Sequence, residues 1–99
     1  MSTNKTLVAR NSKELAETLG LTEADRAAME IQFELAEKIA LETRRTGMTH
    51  AQLAQLAGAS RPRVTAILNG NLDGVSTDLL LRILSALGVR VRLRFHRAA

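Results

Sequence analysis

Apolar residues recur at intervals of three and four between residues 49 and 70, in two short runs that each predict a helix. The apolar face of the first helix is expected to hold Leu53, Leu56 and Ala57. The apolar face of the second is expected to hold Val64, Ile67 and Leu68. Gly58, which adopts a left-handed conformation at little cost, is placed to end the first helix. The pattern therefore predicts two short helices joined by a tight turn.

Polar residues mark where both helices begin. Thr49 and Gln52 have the spacing of a capping box, in which each side chain accepts a hydrogen bond from the backbone amide of the other residue. Ser60 is placed to cap the second helix, and Pro62 falls in its first turn, where an amide would have no helical partner. Ala54 is small enough to let the helices cross closely. This spacing is typical of a helix-turn-helix DNA-binding unit; the alternative is an ordinary helical hairpin with solvated charges.

The same periodicity predicts three further helices, and so an all-α fold of five helices. A short helix is expected over residues 11–19, and a long amphipathic helix is expected from Thr22 to Gly47. A leucine-rich helix, capped by Ser76 and ended by Gly88, follows the two short helices. The long helix should pack behind the helix-turn-helix and hold its crossing angle.

The C-terminal segment has a different pattern, with apolar and basic residues in strict alternation. Its apolar positions are Val89, Val91, Leu93 and Phe95, and they alternate with Arg90, Arg92, Arg94 and His96. A period of two predicts a strand, and no second strand is predicted to pair with it. We therefore expect antiparallel pairing with the same strand of a second copy, in a homodimer. A disordered basic tail, or a dimer formed through the Leu79–Leu87 helix, is the alternative.

Length and composition define the organisation of the chain. Its 99 residues are enough for one domain, here residues 11–88, with a flexible arm over 1–10 and a dimerisation strand and tail over 89–99.

There is no cysteine, no metal-ligand cluster, no glycine-rich phosphate loop and no nucleophile with a nearby base. We therefore expect neither an enzyme nor a cofactor. The chain also lacks a long apolar run and a signal-peptide pattern, so a cytoplasmic protein without a membrane partner is expected.

Charge differs between the two parts of the chain. Residues 1–43 contain five Lys/Arg and eight Asp/Glu, whereas residues 44–99 contain nine Arg and two Asp. The net charges are thus minus three and plus seven. A basic C-terminal part that contains the helix-turn-helix suggests a polyanionic partner, and the acidic part suggests a basic one. Antiparallel pairing would bring Arg90, Arg92 and Arg94 near their copies, so counterions, glutamates of the long helix or DNA phosphates must relieve the repulsion.

The segment from Met48 to Gly70 resembles the helix-turn-helix of the XRE (Cro/C1-type) repressor family, most closely in Leu-Ala-Gln-Leu-Ala-Gly-Ala-Ser-Arg-Pro-Arg-Val. The order of elements over residues 14–96 resembles the branch that includes HigA-type antitoxins, which pair with ribonuclease toxins. The resemblance implies a lambda-repressor-like fold and a repressor of its own operon. A stand-alone repressor without a toxin, or an adaptor that binds mainly protein, is the alternative.

A major-groove binding mode assigns roles to individual residues. Arg61 and Arg63 lie at the start of the second short helix, where side chains reach base edges, and Thr65 follows one turn later. Contacts to the DNA backbone are expected from Thr49, Gln52, the amides near Ser60 and, by resemblance, Asn69. His50 either donates to a phosphate or faces solvent, and Arg63 bonds either a base or a phosphate. His50 and Arg61 stand where relatives commonly carry glutamine. The operator should be an inverted repeat of double-stranded DNA, since two modules meet successive major grooves about 34 Å apart.

Overall fold

A computed structural model describes Gly20 and residues 22–98 of the chain. These residues form four helices and no strand, which confirms the all-α prediction at this level. The helices are α1 (Glu23–Thr46), α2 (His50–Ala57), α3 (Arg61–Leu68) and α4 (Thr77–Ala86). The predicted arm over residues 1–10 and the predicted helix over 11–19 lie outside the described residues.

The long helix α1 begins at a reciprocal cap. The amide of Thr22 donates to the Asp25 carboxylate at 3.1 Å, and the amide of Asp25 donates to the Thr22 hydroxyl at 3.0 Å. The hydrogen bond from the Thr22 backbone lowers the pKa of Asp25. The helix has an acidic first turn and a basic last turn, the polarity that the helix dipole favours. The chain divides into two compact units, and the boundary falls within α1, between Glu34 and Leu35.

The C-terminal half of α1 contributes one side chain fully to the core. Ile39 is completely buried, while Leu35 packs partly against the same cluster. One turn later Glu42 is only 8% exposed and forms ion pairs with Arg45 at 2.7 Å and Lys38 at 3.4 Å. The hydrogen bond from Arg45, assisted by Lys38, lowers the pKa of Glu42. A largely buried carboxylate is thus kept ionised by partners from its own helix.

The hydrophobic core lies around α2, which packs against both α3 and α4. The leucine-rich α4 faces this core as predicted and is capped by Ser76, whose hydroxyl accepts from the amide of Leu79 at 3.1 Å. Full burial of a large apolar side chain stabilises a fold by about 1.5 to 3 kcal/mol. The side chains that are completely or almost completely buried are Ile39, Leu53, Val64, Ile67, Leu80, Ile83 and Leu84.

Leu56 corrects the predicted face of α2, since its side chain is 63% exposed. The buried residues of this helix are Leu53, Ala54 and Ala57. Each residue advances a helix by about 100°, so these three positions share an arc and the position of Leu56 lies outside it. The four-residue spacing from Leu53 to Ala57 is confirmed, but the buried stripe includes Ala54 rather than Leu56.

Residues 89–98 form neither a helix nor a strand in the single chain. The segment is anchored where the amide of Val89 donates to the carbonyl of Leu84 at 2.9 Å. Beyond this bond Leu93 and Phe95 are 77% and 86% exposed. The predicted strand requires a second copy, so its pairing stays a prediction.

Candidate nucleic-acid interface

The start of α2 is fixed by the capping box that the sequence predicts. The Thr49 hydroxyl accepts from the Gln52 amide at 3.1 Å, and the Gln52 side-chain oxygen accepts from the Thr49 amide at 2.9 Å. Both residues are exposed. Because the side-chain oxygen of Gln52 is used in the cap, its side-chain NH₂ group points away from that bond and is the part able to donate to a phosphate.

The turn between α2 and α3 is held from both sides. Gly58 ends α2 with φ +69°, in the left-handed region, and its amide donates to the carbonyl of Ala54. From α4, the guanidinium of Arg82 donates to the carbonyl of Ala57 at 2.8 Å. A Cβ on Gly58 would stand 3.2 Å from that guanidinium. The turn that sets the crossing of α2 and α3 is therefore tied to α4 by a charged hydrogen bond.

Helix α3 begins as predicted at Ser60, whose hydroxyl accepts from the amide of Arg63 at 3.2 Å, with Pro62 in its first turn. Val64 and Ile67 face the core, so the opposite side of the helix faces solvent. Arg61 and Arg63 are both exposed there. Within the described part of the chain neither arginine is in an ion pair, which leaves two positive charges available at the start of α3.

The exposed side of α3 forms one wall of an open groove. Arg61, Thr65 and Asn69 recur every four residues and share this side. The complete lining is Arg61, Pro62, Thr65, Ala66, Asn69 and Asn71. Charged, hydroxyl and amide groups, each able to hydrogen-bond to base edges, thus follow one another along a single helix face.

Two predicted site residues contact each other directly. Nδ1 of His50, at the start of α2, lies 2.8 Å from Oγ1 of Thr65 in α3, and both side chains are half-buried. From the sequence alone these residues are expected to make separate contacts, His50 to a phosphate and Thr65 to a base. The structure instead brings them together as a hydrogen bond between the two helices of the unit.

Arg63 and Asn69 are oriented by their neighbours. The guanidinium of Arg63 donates to the carbonyl of Asp73 at 3.3 Å, which directs it towards the loop after α3. Asn71 shapes that loop by accepting the amide of Asp73 on its side-chain oxygen at 3.0 Å. Asn69 ends α3, and its exposed side chain lies on the groove. Arg63 is therefore angled away from the face that Arg61 shares with Thr65.

Sequence reasoning missed two contributors to this site, Arg82 and Asn71. Arg82 acts on a carbonyl 25 residues earlier in the chain, and no local pattern encodes such a contact. The spacing of Asp78 and Arg82 does predict their ion pair, at 3.2 Å, but not the second hydrogen bond. Asn71 lies in a loop of turn-forming residues, and its place on the groove depends on how that loop folds back.

The predicted dimerisation residues lie away from α3 in sequence and form a separate surface. Val89 is half-buried, whereas Val91, Leu93 and Phe95 are exposed. Next to the anchor of this segment is a second open groove of about 390 Å³. It is lined by Leu81, Ser85, Gly88, Val89, Arg90 and Val91.

The described residues offer neither a metal-ligand cluster nor a membrane-spanning helix. They contain no group of three or more His, Cys, Asp or Glu side chains that could hold a metal ion. None of the described helices combines the length and the apolar character needed to cross a membrane.

The geometry agrees with a comparison against protein families. Residues 19–96 match the profile of a family described as a helix-turn-helix domain. Searches of curated proteins and of solved structures find no significant match. The family profile covers most of the chain and includes all four helices described above. With a capped α2, a glycine turn and a capped α3 at the centre of that match, the chain belongs to the helix-turn-helix domain family.

Proposed function

We propose that the chain is a sequence-specific DNA-binding transcriptional repressor, and that α3 enters the major groove. The observation that carries the proposal is the exposed face of Arg61, Thr65 and Asn69 on a helix whose opposite side is buried in the core. A helix fixed in this way presents the same side chains to every duplex. Binding therefore loses little conformational entropy in ordering these side chains, and the helix can distinguish one sequence from another.

The proposed contacts follow from donor chemistry. Arg61 carries a planar fork that matches O6 and N7 of guanine, a contact worth about 1 to 3 kcal/mol of discrimination. Phosphates are bound by donors at the starts of the two helices. These donors are the NH₂ group of Gln52, the ring of His50 and the amides at the start of α3 near Ser60. Thr49 supports these contacts by capping α2. Arg63, directed towards Asp73, binds a phosphate beside the groove.

We propose further that the repressor is a homodimer that binds an inverted repeat. A lambda-repressor-like fold of five helices, with Val89, Val91, Leu93 and Phe95 in a strand paired across the two-fold axis, would complete the assembly. Support comes from the exposure of Leu93 and Phe95, which bury little of their apolar surface in the single chain, and from the groove beside Leu81. One module buries too little surface for tight specific binding, so pairing supplies the remaining affinity.

The role favoured within this class is the antitoxin of a type II toxin-antitoxin pair, which represses its own operon. Its support is the surface of α1, where the exposed Phe33 lies one turn after the exposed Glu30 and next to the exposed Glu34. Apolar residues framed by acidic ones suit a small basic protein such as a ribonuclease toxin.

A gel shift on the promoter upstream of the chain's own gene tests the DNA-binding proposal. We expect binding that weakens steeply as salt rises, because phosphate contacts release counterions. Arg61→Ala should relax the preference at one base pair per half-site. Arg44→Ala, at an exposed arginine of α1, is the matched control and should leave the preference unchanged. Absent binding, or binding insensitive to salt, contradicts the proposal.

Co-expression with the product of the adjacent gene tests the antitoxin role separately. We expect a complex with a small basic protein that Phe33→Ser weakens while leaving the promoter shift intact. Thr77→Ser, a mild change at an exposed residue of α4, is the control and should preserve the complex. Full repression by the chain alone, together with no complex, favours the stand-alone repressor.

A further inference from the structure

The bond between His50 and Thr65 joins a proposed phosphate contact to a proposed base contact. Nδ1 of His50 is 2.8 Å from the Thr65 hydroxyl oxygen, and Thr65 lines the groove with Arg61 and Asn69. Among the described residues the other ring nitrogen of His50, Nε2, has no hydrogen-bond partner. Every fully buried side-chain polar atom described has a partner, so Nε2 is in contact with solvent.

Thr65 alone is an ambiguous reader of bases. Its hydroxyl has one hydrogen and two lone pairs and rotates to suit its partner. A threonine in the major groove therefore bonds donors and acceptors alike. A neutral imidazole, by contrast, has one N–H group and one bare nitrogen, and the position of its proton decides which nitrogen accepts.

We propose that His50 determines which bases Thr65 accepts, by fixing the direction of the Thr65 hydroxyl hydrogen. The inference rests on the proposed DNA-binding function. When Nε2–H of His50 donates to a phosphate, Nδ1 is bare and accepts the hydrogen of Thr65. The Thr65 oxygen then offers only lone pairs to the groove. It therefore pairs with an amino group, the 6-amino group of adenine or the 4-amino group of cytosine.

The opposite arrangement of protons predicts the opposite preference. If Nδ1 carried the hydrogen, in the other tautomer or in an imidazolium, it would donate to Thr65. The Thr65 hydroxyl would then turn its own hydrogen to the groove and select an acceptor, such as N7 or O6 of guanine or O4 of thymine. The base atom that Thr65 recognises, an amino group or an acceptor, is thus a direct readout of the hydrogen bond between the helices.

The first experiment identifies the base pair and its recognised atom. The wild-type chain selects duplexes from a randomised library, and Thr65→Val, which removes the hydroxyl but keeps the shape, shows which base pair Thr65 reads. We expect a preference of about tenfold for one base pair there, read through the amino group of its adenine or cytosine. An analogue of that base that lacks only the amino group should lose the preference, and for adenine the 7-deaza analogue should retain it. A loss with 7-deaza-adenine, or a preference that survives removal of the amino group, overturns the proposal.

The second experiment tests whether His50 orients the Thr65 hydroxyl or only supports the fold. His50→Ala should relax the preference at the same base pair as Thr65→Val, and the double variant should relax it no further. Loss of a phosphate contact alone would weaken binding to all sequences equally. It would also reduce the slope of log affinity against log salt concentration by about one. A uniform loss in His50→Ala with the preference intact therefore overturns the inference. Thr65→Ser keeps the hydroxyl and should keep the preference, and thermal unfolding checks that each variant folds.

The two proposals fail in different ways. If the wild-type chain selects no sequence from the library, both the DNA-binding function and this inference are wrong. If it selects a site that Arg61→Ala relaxes but Thr65→Val does not, DNA binding stands and only the role of His50 and Thr65 is overturned.

Discussion

Arg82 shows how one side chain connects two elements. Its guanidinium donates to the Asp78 carboxylate on its own helix at 3.2 Å and to the Ala57 carbonyl at 2.8 Å. Ala57 is in the last turn of α2, where carbonyls have no partner within the helix. A cation there also opposes the negative end of the helix dipole. Arg82 thus acts as a C-terminal cap supplied by a different helix.

Arg82→Ala should destabilise the fold by about 1 to 2 kcal/mol, because it leaves the Ala57 carbonyl without its charged donor. Urea unfolding followed by circular dichroism measures this change. Asp78→Asn is the matched control: it weakens the exposed ion pair and leaves the bond to Ala57, so its cost should stay below about 0.5 kcal/mol. Equal effects of the two variants would show that the carbonyl bond contributes nothing.

Glu42 should make the free energy of unfolding depend on pH under acidic conditions. Its pKa lies below the ordinary value of 4.5, because Arg45 and Lys38 stabilise the charged form in the folded state. The unfolded chain therefore binds the proton more readily. The contribution of Glu42 to the free energy of unfolding is complete well above pH 4.5, and it is lost as the pH falls through the lowered value.

Glu42→Gln tests this dependence. We expect the variant to be less stable than the wild type at pH 7 and to lose less stability between pH 6 and pH 3, as measured by urea unfolding at each pH. Glu37→Gln, at an exposed position of the same helix, should follow the wild-type profile more closely. If the free energy of unfolding changes with pH in the same way for the wild type and Glu42→Gln, then protonation of Glu42 does not cause the loss of stability in acid.

Residue-level predictions succeeded where the interaction is local. The caps at Thr49, Ser60 and Ser76 join residues three positions apart, and the structure confirms each of them. The bond from His50 to Thr65 spans 15 residues and that from Arg82 to Ala57 spans 25. Such contacts depend on how helices pack, and periodicity carries no information about them. The sequence could therefore place the helix caps but not the hydrogen bonds between helices.

At the scale of elements, α2 is the centre of the fold because it packs against both α3 and α4. A helix of eight residues has room for one narrow buried stripe, and here Leu53, Ala54 and Ala57 supply it. The sequence placed the helix and its ends correctly. It misplaced Leu56, since alternative stripes on so short a helix differ by a single position.

Ala54→Leu should disrupt the helix-turn-helix unit. Ala54 is 6% exposed and belongs to the same core cluster as Val64 and Ile67 of α3. Added side-chain volume in a packed core costs about 1 to 3 kcal/mol, and here it would push α3 away from α2. Urea unfolding should show the loss of stability. A gel shift should show a loss of DNA affinity beyond the unfolded fraction, because the groove-facing side chains move with α3.

Ala51→Leu is the control for this change. Ala51 lies on the exposed side of the same helix, so the same added volume meets solvent and should alter stability by less than about 0.5 kcal/mol. Should Ala54→Leu prove as mild as Ala51→Leu, close approach of the two helices would not depend on a small residue at position 54.

At the scale of the whole molecule, the basic C-terminal part combines two surfaces. One is the exposed face of α3, and the other is the segment from Val89 to Phe95, whose apolar side chains become more exposed towards its end. The helices of the fold followed from the sequence because each has its own periodicity. The partner of the final segment did not, since a strand is defined by the chain it pairs with.

The proposed homodimer should depend on the apolar side of this segment. In the double variant Leu93→Ser and Phe95→Ser, pairing of two segments would no longer bury apolar surface, so we expect a monomer or a much weaker dimer by analytical ultracentrifugation. Affinity for an inverted repeat should fall with it, because each half-site is then bound by a separate module. Affinity for a single half-site should stay the same.

The arginines of the same segment provide the matched control for the dimer. Antiparallel pairing brings like charges near each other at a cost of about 0.2 to 1 kcal/mol per pair, so Arg92→Ala with Arg94→Ala should leave the dimer intact or tighten it. Raising the salt concentration should narrow the difference from the wild type, since counterions screen the same repulsion. If the serine variant remains a full dimer, the interface moves to the groove beside Leu81 and Ser85. Leu81→Asp should then be the change that separates the two copies.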